Sequence, residues 1–245
     1  MKRKYELLKN ETMQIKGGTL YRIRAVRNFG DVKIGQVGGW ISQEENLSHE
    51  GACWVYDEAK VYGGATVGDD SQIRDTAVVY GAAEIKGKSE VSGKASVYDS
   101  ARLYNATVVD EAEVYGFAKL YNGSVKGNAQ LHGAVQAYNA MIYENANVFG
   151  NAKLDGCTNI ITLFGSFKEY PMTKVHGDAR VYGNARIFGS AEICGHAKVY
   201  DDARVYTNAF IAGSVNVFGR AIVYDKIADN SDVYKFVRPR ICRNN

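Results

Sequence analysis

Aliphatic residues fall at positions 55, 61, 67, 73, 79, 85, 91, 97 and 103, a strict period of six. The residue two before each is small: Cys53, Ala59, Ala65, Ser71, Ala77, Ala83, Ser89, Ala95 and Ala101. Residues i−2 and i of a strand point to the same side, so each hexad reads as a short strand with one small and one aliphatic residue inside. A helix is excluded, because a period of six with Gly in each repeat fits no 3.6-residue face. Asp57, Gly63, Gly81, Gly87, Gly93, Asp99 and Asn105 stand two residues after their aliphatics. These residue types enter the left-handed backbone region at low cost, so a corner follows each strand. The pattern predicts a coil of short strands, each stacked on its equivalent in the next turn.

The residue after each aliphatic gives the number of strands per turn. Taken in threes, the second column reads Tyr62, Tyr80, Tyr98, Tyr115, His132, Phe149, and the third Gly68, Lys86, Tyr104, Tyr121, Tyr138, Asp155. The first reads Tyr56, Arg74, Ser92, Val109, Lys126, Tyr143. Aromatics gather in two columns, so a turn has three sides and 17–18 residues. Val108, Val125 and Ile142 each follow the preceding aliphatic by five residues, and all three deletions fall between side three and side one. The pattern stops after Leu154, resumes at Val175 and runs to Val223, about nine turns in all. The expected organisation is an N-terminal β-rich cap (1–51), turns one to six (52–155), an inserted loop (156–174), turns seven to nine (175–225), and a C-terminal cap with a basic tail (226–245). "SDVYK" at 231–235 reads as either a tenth turn or part of that cap. The fold class is all-β: a single-stranded, three-sided parallel β-helix with capped ends.

Twenty-six Gly against two Pro agrees with corners rather than with a disordered linker. A net charge of +3 does not point to double-stranded nucleic acid. The four cysteines, at 53, 157, 194 and 242, form no C-x-x-C pair, which argues against a zinc or disulfide framework and for reduced thiols in a cytoplasm. "MKRKYELLKN" lacks the apolar core of a signal peptide, and no apolar run is long enough to span a membrane.

The hexads resemble those of the bacterial hexapeptide-repeat family over about residues 52–224. That resemblance implies a left-handed coil and a homotrimer. The chain departs from the common transferase motif, which puts Gly directly after the aliphatic; here Tyr, Phe or His often stands there and Gly, Asn or Asp comes one later. The block "TLYRIRAVRNFGDVKIGQVGGWISQEENLSHEGACWVYD" (19–57) looks like the opening of the "VYGNA"-repeat proteins, many of them encoded in phages and prophages and labelled putative transferase or polymer-forming. Such a label rests on the fold and says little about chemistry.

Acyltransferases of the hexapeptide-repeat family use a His base and an acyl-CoA donor, so each of the four histidines is a candidate. His49 belongs to the cap and His196 to a corner, while His132 and His176 occupy aromatic-column positions where imidazole replaces a Tyr ring. His176 directly follows the insertion and is the first candidate base, then His132; no carboxylate partner is identifiable from the sequence. No metal site and no cofactor are expected. Side three offers a different chemistry. Arg102, Lys119, Lys153, Arg186 and Arg204 precede its aliphatics, and Tyr104, Tyr121, Tyr138, Phe188, Tyr206 and Tyr224 follow them. Such a cationic and aromatic stripe suits a flat anionic ligand such as a nucleotide, although a solvated face or a trimer seam would use the same residues. Two functions follow. One is a non-catalytic binding or scaffold protein of phage origin, holding a nucleotide-like anion or a host protein in the host cytoplasm. The other is an acyl-CoA-dependent acyltransferase.

Overall fold

The computed structural model describes residues 3–156, 172–206, 208–228 and 232–233. The inserted segment 157–171 and the tail beyond 233 lie outside them, as do Cys157 and Cys242. The chain forms two compact units: Met1–Lys119 with Val125–Gly127, and Leu120–Ser124 with Asn128–Asn245. Among the described residues there is no α-helix; the one helical element is a 3-10 turn at Glu44–Asn46.

The first unit opens with strand β1 (Tyr5–Ile15), antiparallel to β2 (Gly18–Ala25), which pairs antiparallel to β3 (Val37–Ile41). From β3 onward all pairing is parallel. Trp40 and Ile41 of β3 stand in register with Lys60 and Val61, and those with Val78 and Val79. The coil therefore begins before residue 52, the point at which the repeat becomes readable. The reason lies at Gly39, which takes the small-residue place two before Ile41. A Cβ there would come within 2.5 Å of the Ala59 carbonyl oxygen, so the hexad is written with Gly where later turns have Ala.

Three sheets run through the coil, and between Trp54–Val55 and Ile222–Val223 each strand pairs with the third strand along the chain. This is a parallel β-solenoid. Its strands are only two or three residues long, such as Ser96–Val97 and Arg186–Phe188. They hold because every side repeats the same inner pair. Ala59, Ala77, Ala95 and Ala112 are fully buried, as are Val61, Val79, Val97 and Val114. Each buried aliphatic contributes on the order of 1.5–3 kcal/mol of transfer free energy. The shortened corners keep register, since Val91 pairs with Val108. In the second unit Ile142 pairs across the insertion with Val175. Ile227 bridges to Ile211, and Asp232–Val233 pairs parallel with Asn216–Val217, so the coil continues past Val223.

Corners are left-handed as the residue types require. Asp57, Asp69, Asp75, Asp99 and Asp110 all have φ between 51° and 66°. Their carboxylates do a second job that the repeat does not announce. Asp75 Oδ2 accepts the Gly93 N–H at 2.7 Å, and Asp110 Oδ2 accepts that of Gly127 at 2.9 Å. Each corner thus satisfies a backbone donor of the corner one turn on.

Candidate functional site

The second-side column is a continuous ring stack within each unit. In the first, Tyr62, Tyr80, Tyr98 and Tyr115 stack at 4.8–5.2 Å with planes within 9°. In the second, His132, Phe149, Tyr182, Tyr200 and Phe218 stack at 4.9–5.3 Å. The spacing is that of the strands beneath them. His132 is one rung of this stack, and its Nε2 lies 3.1 Å from Asn147 Oδ1. His49 lies in the cap: its ring packs on Tyr5 at 4.4 Å and burial holds its pKa below the ordinary value. His196 Nδ1 is 3.2 Å from Asp178 Oδ2, at an exposed corner.

His176 has different company. It stacks on Tyr143 at 4.6 Å with planes within 4°, on side one. Its Nε2 is 3.1 Å from Glu192 Oε1, and its Nδ1 is 3.7 Å from Glu144 Oε2. Cys194, half-buried, joins the group, whose His176, Glu192 and Cys194 ligand atoms all lie within 4.8 Å of one another. Burial raises the Cys194 thiol above its ordinary pKa, and Glu192 and Glu144 add to that. Tyr143 is raised by burial and then by the same two carboxylates and Cys194. Glu144 also occupies a left-handed corner, at φ 62°, where its Oε2 accepts the Gly177 N–H at 2.7 Å.

The partners of His176 were not legible as a motif because they are 16 and 32 positions away in sequence. Written out in turns, they are neighbours. His176 and Cys194 both follow first-side aliphatics, Val175 and Ile193, which pair in register; Lys174 pairs with Glu192. Glu144 is the corner one turn earlier.

The side-three residues divide between the units. In the first, Arg102 Nε is 3.5 Å from Glu84 Oε2, and Lys86 forms an ion pair with the same carboxylate. Tyr104 is exposed, and Lys119 makes no ion pair among the described residues. In the second, Tyr121 stacks on Tyr138 at 4.9 Å. Asp155 then stands in register with Phe188, which interrupts the rings. Phe188, Tyr206 and Tyr224 resume the stack at 4.9 Å. Lys153, Arg186 and Arg204 stand in register on successive turns. Arg186 and Arg204 line a groove of about 460 Å³ together with Arg220, Asn184, Asp202 and Ile222. Arg220 stands at the corner preceding side three and carries no signal in the column pattern. Asn184 Nδ2 donates to Asp202 Oδ1 at 3.2 Å. None of the three arginines is within ion-pair distance of a carboxylate among the described residues.

The cap holds one polar group that the repeat does not mark. Lys4 is fully buried, its Nζ donating to the Cys53 carbonyl at 2.9 Å and lying 3.2 Å from Cys53 Sγ. Burial lowers its pKa, partly offset by Cys53. Here a charge closes the coil end by satisfying backbone carbonyls, a role for which no spacing rule exists.

No family model matches the chain. Over 55 residues it is 44% identical to an uncharacterized acetyltransferase, YdcK, of Escherichia coli (strain K12). The match spans 22% of this chain and 17% of that protein. With the β-solenoid, this likeness fits a hexapeptide-repeat β-helix and allows a transferase at that general level. Among the described residues no helix is long and apolar enough to cross a membrane.

Proposed function

We propose that this protein is a binding module that holds a phosphorylated, nucleotide-like small molecule on side three of its second unit and performs no chemistry on it. The observation that carries this reading is the groove lined by Arg186, Arg204 and Arg220, three guanidinium groups with no carboxylate within ion-pair distance among the described residues. Arginine forks match phosphate oxygens two at a time, and such charge-assisted bonds are the stronger class. Arg186 and Arg204 stand one strand spacing apart, so an anion between them also removes their mutual repulsion. A groove of about 460 Å³ is in the range that small-molecule sites occupy. Resemblance to phage-borne "VYGNA"-repeat proteins adds a biological version: a left-handed homotrimer in the host cytoplasm that captures a nucleotide signal or a host protein of a defence system.

The test is a thermal-shift and calorimetric screen of nucleoside mono- and diphosphates, cyclic nucleotides and coenzyme A, at low and high salt. A binder raises the melting temperature, weakens with salt, and is lost when Arg186→Ala and Arg204→Ala are combined. A binder indifferent to that double change, or silence across the whole panel, overturns the reading.

A second reading is an acyltransferase, favoured by the Glu192 carboxylate on His176 and by the short likeness to an uncharacterized acetyltransferase. His176 would take the proton from an acceptor hydroxyl or amine as that group attacks the acyl-CoA thioester carbonyl; coenzyme A would then leave as its thiolate and be reprotonated. Against it, both ring nitrogens already face carboxylates, which leaves neither directed at a substrate. Acetyl-CoA turnover abolished by His176→Phe would establish this second reading. Absence of any coenzyme A response would remove it.

A further inference from the structure

We infer that His176, Glu192 and Cys194 form a binding site for one divalent transition-metal ion of the zinc class. Their ligand atoms, an imidazole nitrogen, a carboxylate oxygen and a thiol sulfur, lie within 4.8 Å of one another. That is the nitrogen, oxygen and sulfur donor set that zinc takes. Tetrahedral zinc holds a nitrogen and an oxygen ligand about 3.3 Å apart and a nitrogen and a sulfur about 3.6 Å apart. His176 Nε2 and Glu192 Oε1 stand at 3.1 Å. The thiol needs to close by no more than about 1.2 Å to reach that arrangement.

The scaffold fixes these positions before any ion arrives. His176 and Cys194 project from paired strands, with Val175 in register with Ile193. Glu192 lies two residues before Cys194 on the same outer face. The His176 N–H donates to the Ile193 carbonyl at 3.0 Å and the Lys174 N–H to that of Ala191 at 2.9 Å, so the ligands ride on hydrogen-bonded strands.

Two further observations point to an ion rather than to a chance polar group. First, Glu144 stands behind the imidazole, 3.7 Å from Nδ1 and anchored by the Gly177 N–H. A carboxylate hydrogen-bonded to the far nitrogen is the arrangement that orients metal-bound histidines, and Glu144 has to close by only about 0.5 Å to make that bond. Second, Glu144 and Glu192 have no Lys or Arg ion-pair partner among the described residues, so two carboxylates and a thiol converge on one imidazole, with Lys174 in register beside Glu192 but not within ion-pair distance of it. A divalent cation would sit between donors that no Lys or Arg side chain pairs with directly among the described residues. His132, the rung of the second-side stack, makes the contrast: its ring nitrogen meets the neutral Asn147 amide. All three ligands are half-buried, which leaves a fourth position for water. The metal ligands share no residue with the arginine groove. A bound ion takes the His176 Nε2 lone pair and so excludes a general base there.

The test uses the full chain, tag-free and stripped with chelator, titrated with Co²⁺ while recording the near-ultraviolet thiolate-to-cobalt charge-transfer absorption, then with Zn²⁺ in competition. The expected result is one Co²⁺ per chain with that band, displaced by Zn²⁺. Cys194→Ala removes the band, and Glu192→Gln and His176→Phe each weaken binding at least about tenfold. His176→Phe keeps a ring in the stack, so loss of metal there is not loss of fold, and circular dichroism of each variant checks this. His132→Phe leaves binding unchanged, and so does Arg186→Ala with Arg204→Ala. No saturable Co²⁺ binding by the unmodified protein overturns the inference. So does a band that survives Cys194→Ala, since it would come from another thiol.

Discussion

The two units use the same inner face and the same corner geometry, but they treat their outward charges differently. In the first, several outward cations are paired within the unit: Arg102 and Lys86 on Glu84, Lys94 on Glu111 at 2.8 Å, Arg74 over the Tyr56 ring at 3.9 Å and near Asp31. In the second, Arg186, Arg204 and Arg220 face one groove without a carboxylate partner among the described residues. Glu144 and Glu192 converge on one histidine there. The coil requires only small and aliphatic residues inside and left-handed residues at corners. Outward positions are therefore free to differ, and among the described residues it is the second unit that gathers three unpaired arginines at one groove.

The largest effect should be blind to this difference. Ala95→Leu in the first unit and Ala185→Leu in the second both force extra methylenes into fully buried sites. Each is expected to lower stability by about 1–3 kcal/mol or more, read by urea unfolding. If one unit absorbs the leucine without cost, the two inner faces are not equivalent. Ligand affinity comes next and should separate the units. Arg204→Ala is expected to weaken the anion found by screening by about tenfold to a hundredfold, whereas Arg102→Ala, already paired with Glu84, should change it less than about twofold. Equal losses by calorimetry would erase the distinction.

The ring stacks should again behave alike. Tyr98→Ala removes contacts to Tyr80 and Tyr115, and Tyr182→Ala those to Phe149 and Tyr200. Each change should cost about 1–3 kcal/mol, against less than about 0.5 kcal/mol for the corresponding change to Phe. The smallest effect is a pH dependence confined to the first unit. Burial holds the His49 pKa below the ordinary value of about 6.5, so the unfolded chain binds more protons as pH falls. The contribution is full above about pH 6.5 and is lost as pH drops toward the folded pKa. His49→Gln should flatten that part of a melting-temperature profile between pH 7.5 and 5.5; an unchanged slope would assign it elsewhere.

The strand positions, the three columns and the register across the shortened corners were all legible, because a six-residue period writes geometry directly into the residue order. The Tyr62 column needed only the expectation that equivalent outward rings stack. Gly39 hid the first parallel strand because a crowded turn substitutes Gly for Ala. Lys4 gave no signal at all, since a buried lysine is identified only by the carbonyls that receive it. Arg220 sits outside every column and joins Arg186 and Arg204 through the corner's course in space.

The sequence by itself determined the solenoid: small and aliphatic residues every six positions admit no other regular packing, and left-handed residue types turn each corner. Only the tertiary structure decided which outward charges meet. Successive turns, the one between Glu144 and His176 lengthened by the insertion, bring His176, Glu192, Cys194 and Glu144 together from positions spread over 51 residues, and electrostatic partners are chosen by distance in space rather than by spacing along the chain.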